Sequence, residues 1–260
     1  MSAAAAPAPA ALLDGVLLAG RHLRLLARRP GAIIGPVLTP LLFAALFFGV
    51  FQNVMARAGV DYAQYLLPAV IVQAMFFNAM AAGLGGHEDA ASGMLRRLRG
   101  APVARSAPLT GWLLGRTAVS AVALVLLVAV GHLLGFRFHG GAAGAAGFAA
   151  VALLLVVTLT AGYLTLALRV RSVQAFQVLA NLFFFPFLLL SSAFSPARAF
   201  PEWLRPVVEQ QPVSRVADLL RALASAEGPS AGPALIALGW LTGLLVLFLV
   251  LGARAFGRTA

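Results

Sequence analysis

The chain has neither cysteine nor lysine, and only 10% of its 260 residues are charged. Each shortage removes a class of function. Without cysteine there are no disulfides and no thiolate metal sites, although this leaves the compartment open. Without lysine the phosphate-cradling loop GxxxxGK[ST] cannot be written, because its lysine must reach the terminal phosphates. ATP hydrolysis by such a loop is therefore excluded for this chain. All eight acids, Asp14, Asp61, Glu88, Asp89, Glu202, Glu209, Asp218 and Glu227, fall outside the long apolar runs. A carrier coupled to protons or sodium uses carboxylates that face the bundle interior, so that class is disfavoured. Only neutral polar groups remain within the runs, among them Gln73, Asn78, Thr158, Tyr163, Gln177 and Asn181.

Enzyme signals are equally thin. His87-Glu88 resembles the start of the zinc motif HExxH, but the second histidine would fall at Ala91, and the pair reads as part of a solvated loop. His22, His132 and His139 are scattered over different segments. No nucleophile stands at recognisable spacing from a base, and Ser191-Ser192 read as partners for backbone carbonyls around Pro186.

Hydrocarbon, by contrast, is plentiful: 61% of residues are apolar and the mean hydropathy is +0.94. One soluble core cannot hide so much, so lipid must be the solvent. A helix needs about 20 apolar residues to cross about 30 Å of hydrocarbon with its amides paired internally. Six windows qualify: Ile33 to Phe51, Gln64 to Leu84, Trp112 to Leu134, Ala142 to Leu166, Val173 to Phe194, and Ala234 to Ala253. Only a tight turn at Arg169 and Arg171 separates the fourth from the fifth. The expected fold is a single all-α integral membrane domain of six transmembrane helices over 33–253. Residues 1–11 read as an Ala/Pro-rich tail with nothing to be cleaved.

The net charge of +11 does not point to nucleic acid, because the arginines sort by membrane side rather than into one aromatic-laced patch. Arg21, Arg24, Arg28, Arg29, Arg96, Arg97, Arg99, Arg105, Arg169, Arg171, Arg254 and Arg258 fall on one side; Arg57, Arg137, Arg198, Arg205, Arg215 and Arg221 fall on the other. Arg116 is left within the third window, near its end. The richer side is cytoplasmic, which puts both termini in the cytoplasm of a bacterial inner membrane. Abundant Ala, Arg, Gly and Pro suit a GC-rich bacterial genome.

Over 12–30, Leu12, Val16, Leu23 and Leu26 share one helical face, while Arg21, Arg24 and Arg28 share another beside Arg29, ending at Pro30. That is an interfacial amphipathic helix, either a plain anchor to anionic lipid or also a contact for a cytoplasmic partner. The stretch Gly93 to Arg105 sets Leu95, Leu98 and Val103 beside Arg96, Arg97, Arg99 and Arg105, with Gly100 and Pro102 halting a short helix. It reads either as a docking plug or as a simple positive-inside loop. The long segment Ser195 to Pro233 is too broken by proline to span, and Val216, Leu219, Leu220 and Leu223 line one face within it. Two short helices dipping back into the outer leaflet are expected there, with Trp203 at the interface. Asn78, Asn181 and Pro186 are candidates for shaping a pathway, although ordinary helix packing explains Asn181 and Pro186 as well.

Two stretches carry a resemblance. The basic run and proline turn at Arg96 to Arg105 are similar to the loop before span three of type-2 ABC exporter permeases of the antibiotic-resistance kind. Leu190-Ser191-Ser192-Ala193-Phe194-Ser195-Pro196, Phe200-Pro201-Glu202-Trp203-Leu204, Gln211-Pro212-Val213-Ser214 and Leu220-Arg221-Ala222-Leu223 resemble that family's segment between its last two spans. Relatives often carry an acid directly before the basic run; here Met94-Leu95 stand there. The resemblance implies a half-transporter that pairs with a second permease copy, as a homo- or heterodimer, and with two separate ATPase subunits. ATP and magnesium would bind those subunits, with no cofactor on this chain. It also implies efflux of an amphipathic drug-like or lipid-like compound, with the loop after span two receiving the ATPase's motion. A membrane scaffold that transports nothing is the alternative.

Overall fold

A computed structural model describes residues 31–57, 59, 61–91 and 107–258, and every regular element among them is helical. The segment expected as an interfacial helix and the basic stretch from Leu95 to Arg105 lie outside the described residues. In chain order the helices are α1 (Gly31–Arg57), α2 (Tyr62–Ala91), α3 (Ala107–Leu133), α4 (Gly141–Ala167), α5 (Val173–Leu189), α6 (Arg205–Gln210), α7 (Pro212–Ala224) and α8 (Ala231–Arg258). A single 3-10 turn, Ala197–Ala199, precedes α6. Four of these, α2, α3, α4 and α8, are long and apolar enough to cross a membrane. Shorter apolar helices run over Leu38–Asn53 and Val173–Leu189.

The centre of the bundle is α2, with 83% of its apolar window buried against 11% for α8. It packs along α4 and is flanked by α1, α3, α5 and α7. Val70, Ile71, Val72, Ala74 and Met75 are wholly enclosed, so this helix is apolar on every side. Among the long helices α8 packs chiefly on α4. Thr158 and Thr165 donate from α4 to Leu241 O (3.3 Å) and Phe248 O (3.1 Å), one heptad apart on both helices. Gly162 lies beneath Phe248 and Gly252 against Thr165, so small residues bring the two backbones close.

α2 runs beyond the expected end at Leu84, as far as Ala91. The reading of His87-Glu88 as a solvated loop is therefore wrong. Gly86 lets Leu164 press against the helix, and His87 is buried with Nδ1 3.2 Å from Ala167 O. Contact with the end of α4 keeps the last turns wound. α5 stops short of its expected end, at Leu189 rather than Phe194. The Leu190 amide donates to Pro186 O (3.0 Å), and Ser191 Oγ donates to Leu188 O (2.5 Å) while accepting from the Ala193 amide (3.2 Å). One hydroxyl thus satisfies the helix end and turns the chain. Before α5, Ser172 caps the helix by accepting from the Ala175 amide (3.1 Å), closing the short turn after α4.

The segment before α8 holds the two short helices expected of it. On α7 Val216, Leu219 and Leu220 are buried and Leu223 half-buried, packed on α2 and α4.

Candidate functional site

A cleft of about 270 Å³ opens between α1, α2 and α5. Phe77, Met80, Ala81 and Leu84 of α2 form its floor, Gly35 and Thr39 of α1 one wall, and Phe176, Gln177 and Asn181 of α5 the other. The floor exists because Phe77, Met80 and Leu84 recur at helical spacing on one face. Phe176 enters because Gly83 leaves room: a Cβ there would stand 2.5 Å from its Cζ. Asn181 Nδ2 donates to Gln177 O (2.9 Å), which leaves its carbonyl oxygen turned to other partners. On the same face of α2, one turn before Phe77, Gln73 is buried with Oε1 unpartnered.

Among the described residues none that lines this cleft is charged, and they combine aromatic and aliphatic walls with a few neutral hydrogen-bonding groups. Such a lining suits an apolar or aromatic body carrying isolated polar atoms. Among the described residues no cluster of three His, Cys, Asp or Glu is placed to hold a metal.

Flanking the cleft are exposed apolar faces: Leu38, Leu42, Leu46 and Val50 on α1, and Val178, Leu182, Phe185 and Leu189 on α5. In a bilayer such faces meet lipid or another protein surface.

The end of the bundle where α7 lies is fastened by one polar network. Arg221 places its guanidinium 3.8 Å over the Tyr65 ring and pairs with Asp218 at 2.8 Å. It also donates to Ser192 O (3.0 Å), Ala193 O (2.5 Å) and Tyr65 O (3.3 Å). The Tyr65 hydroxyl donates to Ser192 O (2.7 Å), Ser192 Oγ to Asp218 (3.1 Å), and the Ser192 amide to Ser214 Oγ (2.9 Å). Gln211 Nε2 donates to Leu190 O. The start of α2, the chain leaving α5, and α7 are thereby held as one block.

Of the residues singled out from sequence, Asn181 lines the cleft and Arg221 anchors the network. Asn78 faces away from the cleft floor, donating to Ala74 O (3.0 Å) and fully buried. Pro186 lies on the exposed side of α5. Phe200 and Pro212 are half-buried, whereas Pro201 and Trp203 are exposed, with Trp203 77% accessible. Thr39, Phe77, Met80 and Phe176 were not marked as site residues beforehand. Their spacing on apolar helices is what any core position shows.

Comparison with known proteins accords with this architecture. The family model described as "ABC-2 type transporter" matches residues 16–224. A daunorubicin resistance ABC transporter permease protein, DrrB1 of Streptomyces coeruleorubidus, is 32% identical over 196 residues, covering 75% of this chain and 69% of the relative. The doxorubicin resistance ABC transporter permease protein DrrB of Mycobacterium tuberculosis is 31% identical over 223 residues, covering 80% and 77%. A probable doxorubicin resistance permease of the same organism, DrrC, is 27% identical over 252 residues, covering 94% and 88%. With its several long apolar helices, this multi-pass membrane protein belongs to the ABC-2 type transporter family of permeases.

Proposed function

We propose that the chain is the membrane half of an ATP-driven exporter, moving an amphipathic drug-like or lipid-like compound with the help of a separate ATPase. What carries the reading is the family membership, together with relatives named for daunorubicin and doxorubicin resistance. The uncharged aromatic cleft supports an amphipathic cargo, since it would solvate a planar apolar body without demanding a charge. ATP and magnesium bind the partner ATPase, and two ATPase copies serve two permease copies. The second permease meets this one across the exposed apolar faces of α1 and α5, closing the cleft from that side.

In this reading α1 to α5 and α8 are six spans, and α6 and α7 form the re-entrant segment at the outer leaflet. Reporter fusions at Gly93 and Ala260 should then register as cytoplasmic, and one at Gly228 as external. A cytoplasmic signal at Gly228 would overturn the topology.

Energy enters through the basic stretch Leu95 to Arg105, where apolar anchors lie among arginines as in a protein-docking surface. Leu98→Ala with Val103→Ser keeps every arginine, so insertion should be normal. ATPase co-purification and drug resistance should fall about tenfold or more, because each buried anchor contributes roughly 1 to 2 kcal/mol. Val207→Ala, on the exposed side of α6, is the control. A loop double mutant that binds the ATPase as tightly as wild type would rule out docking at this stretch.

A further inference from the structure

Arg116 sits in α3, opposite α2, and is only 7% exposed. Its Nη2 donates to Ala81 O at 3.1 Å, while its Nη1 is enclosed and has no partner. The two ion pairs found among the described residues, Arg205 with Glu202 and Arg221 with Asp218, do not involve it. A buried guanidinium without a counter-charge is a costly arrangement, and natural structures keep one only where something neutralises it. Glu88 lies two helical turns beyond Ala81 and is exposed, so it does not fill that place in this conformation.

Two further orphans lie beside it. Ser120 is one turn along α3 from Arg116, on the same face, fully buried, with Oγ unpartnered. Asn78 is one turn along α2 from Ala81, also fully buried, with Oδ1 unpartnered while Nδ2 is spent on Ala74 O. The seam between α2 and α3 therefore presents two unused donors, one of them charged, and one unused acceptor. Unpartnered buried polar atoms are few in native proteins, and three within one helical turn of the Arg116–Ala81 contact on two packed helices call for an explanation.

We infer that the α2–α3 seam is a binding site for a phosphate-type oxyanion carrying a hydroxyl. Its anionic oxygens accept from Arg116 Nη1 and Ser120 Oγ, and its hydroxyl donates to Asn78 Oδ1. The guanidinium supplies the charge-assisted bond on which affinity chiefly depends. A phospholipid with a hydroxylated headgroup and free inorganic phosphate share this chemistry. The site does not depend on the chain exporting anything, because Arg116, Ser120 and Asn78 are not among the residues lining the cleft, which this seam touches only through the Ala81 carbonyl.

The full chain, purified in a neutral detergent, separates the two sources. In one arm thermal unfolding is followed against inorganic phosphate, with sulfate and chloride at matched ionic strength. In the other, native mass spectrometry follows retention of phosphatidylglycerol against phosphatidylcholine. Saturable binding in the phosphate arm alone assigns a free anion; selective retention of phosphatidylglycerol assigns a lipid headgroup. Arg116→Gln should weaken whichever binding is found by about tenfold or more, and Ser120→Ala by about threefold to tenfold. Should Arg116→Gln fail to fold, Ser120→Ala decides, since unchanged affinity in that variant overturns the site. No saturable effect in either arm, or equal binding by wild type and Arg116→Gln, overturns it outright and leaves the seam to water. A sulfate response equal to that of phosphate removes the role assigned to Asn78.

Discussion

Arg221→Met should destabilise the protein by about 2 to 3 kcal/mol, whereas Arg205→Met should cost about 1 kcal/mol or less, although each arginine pairs with an acid three residues away. The difference lies in what else each guanidinium does. Arg205 stands 3.8 Å from Glu202, whose side chain is 91% exposed, and donates only to carbonyls of its own loop, Phe200 O (3.0 Å) and Arg198 O (3.4 Å), where water can replace most of what is lost. Arg221 closes a 2.8 Å pair, covers the Tyr65 ring and donates to three backbone carbonyls from an enclosed position. Methionine restores the aliphatic stem and none of the five donors. The Ala193 and Tyr65 carbonyls lose a donor within a crowded site. Thermal unfolding in one detergent should show a midpoint lowered by roughly 5 to 10 °C for Arg221→Met and by no more than about 3 °C for Arg205→Met. Equal midpoints for the two variants would mean that the network contributes nothing beyond a surface ion pair.

The same network bears on the cleft. Tyr65 begins the helix whose later turns form the cleft floor, and Ser192 follows the helix that forms one wall. Fixing both to α7 sets the spacing of α2 and α5 at one end. On the proposed function, export by Arg221→Met should fall more than its expression level, because a loosened α5 no longer holds Phe176, Gln177 and Asn181 in register with α2.

Much of this was legible beforehand, for physical reasons that differ from element to element. Runs such as Ala142 to Leu166 carry no charged residue along their whole length, and hydrocarbon thickness then dictates a helix at each. α7 was legible because its apolar residues keep to a single face, and the residues predicted for that face are those that pack inward. The end of α2 was not, since the apolar window ends at Leu84, whereas the missing side chain of Gly86 admits Leu164 and the helix runs on to Ala91. Nor was the cleft. α2 is apolar on every side, so nothing in its sequence separates the face toward α1 and α5 from the face toward α4. Arg221 was marked as part of a motif, but its partners Tyr65 and Ser192 lie far away in the chain and carry no spacing signal. Asn78 looked like a pathway residue because it is polar within a span. Its place on α2, away from the cleft floor, depends on packing that sequence alone does not fix.

Three glycine substitutions should rank in a fixed order, with Gly144→Ala the most damaging at about 2 to 4 kcal/mol. A Cβ on Gly144 would stand 2.4 Å from the carbonyl oxygen of Leu223, a backbone atom near the end of α7 that no side-chain rotation can move. Gly140 meets the Leu223 and Ser225 carbonyls at 2.9 Å, and Gly147 meets the Leu223 side chain at 2.9 Å, so a row of small residues on α4 forms the bed of that helix end. The His139 amide donates to Ala224 O at 2.9 Å beside it, and shifting α7 would stretch that bond too. Gly131→Ala should cost about 1 kcal/mol. Its Cβ approaches Leu67 Cδ2 at 2.4 Å, but that atom is the tip of a side chain able to change rotamer. Gly239→Ala, with nothing within 4 Å on the outer side of α8, should stabilise by up to about 1 kcal/mol, because alanine is the better helix former. Unfolding midpoints of the three variants in one detergent give the ranking. A Gly144→Ala protein as stable as Gly131→Ala would show that α7 yields easily, and then the Arg221 network, rather than the glycine bed, is what holds α7 to the bundle.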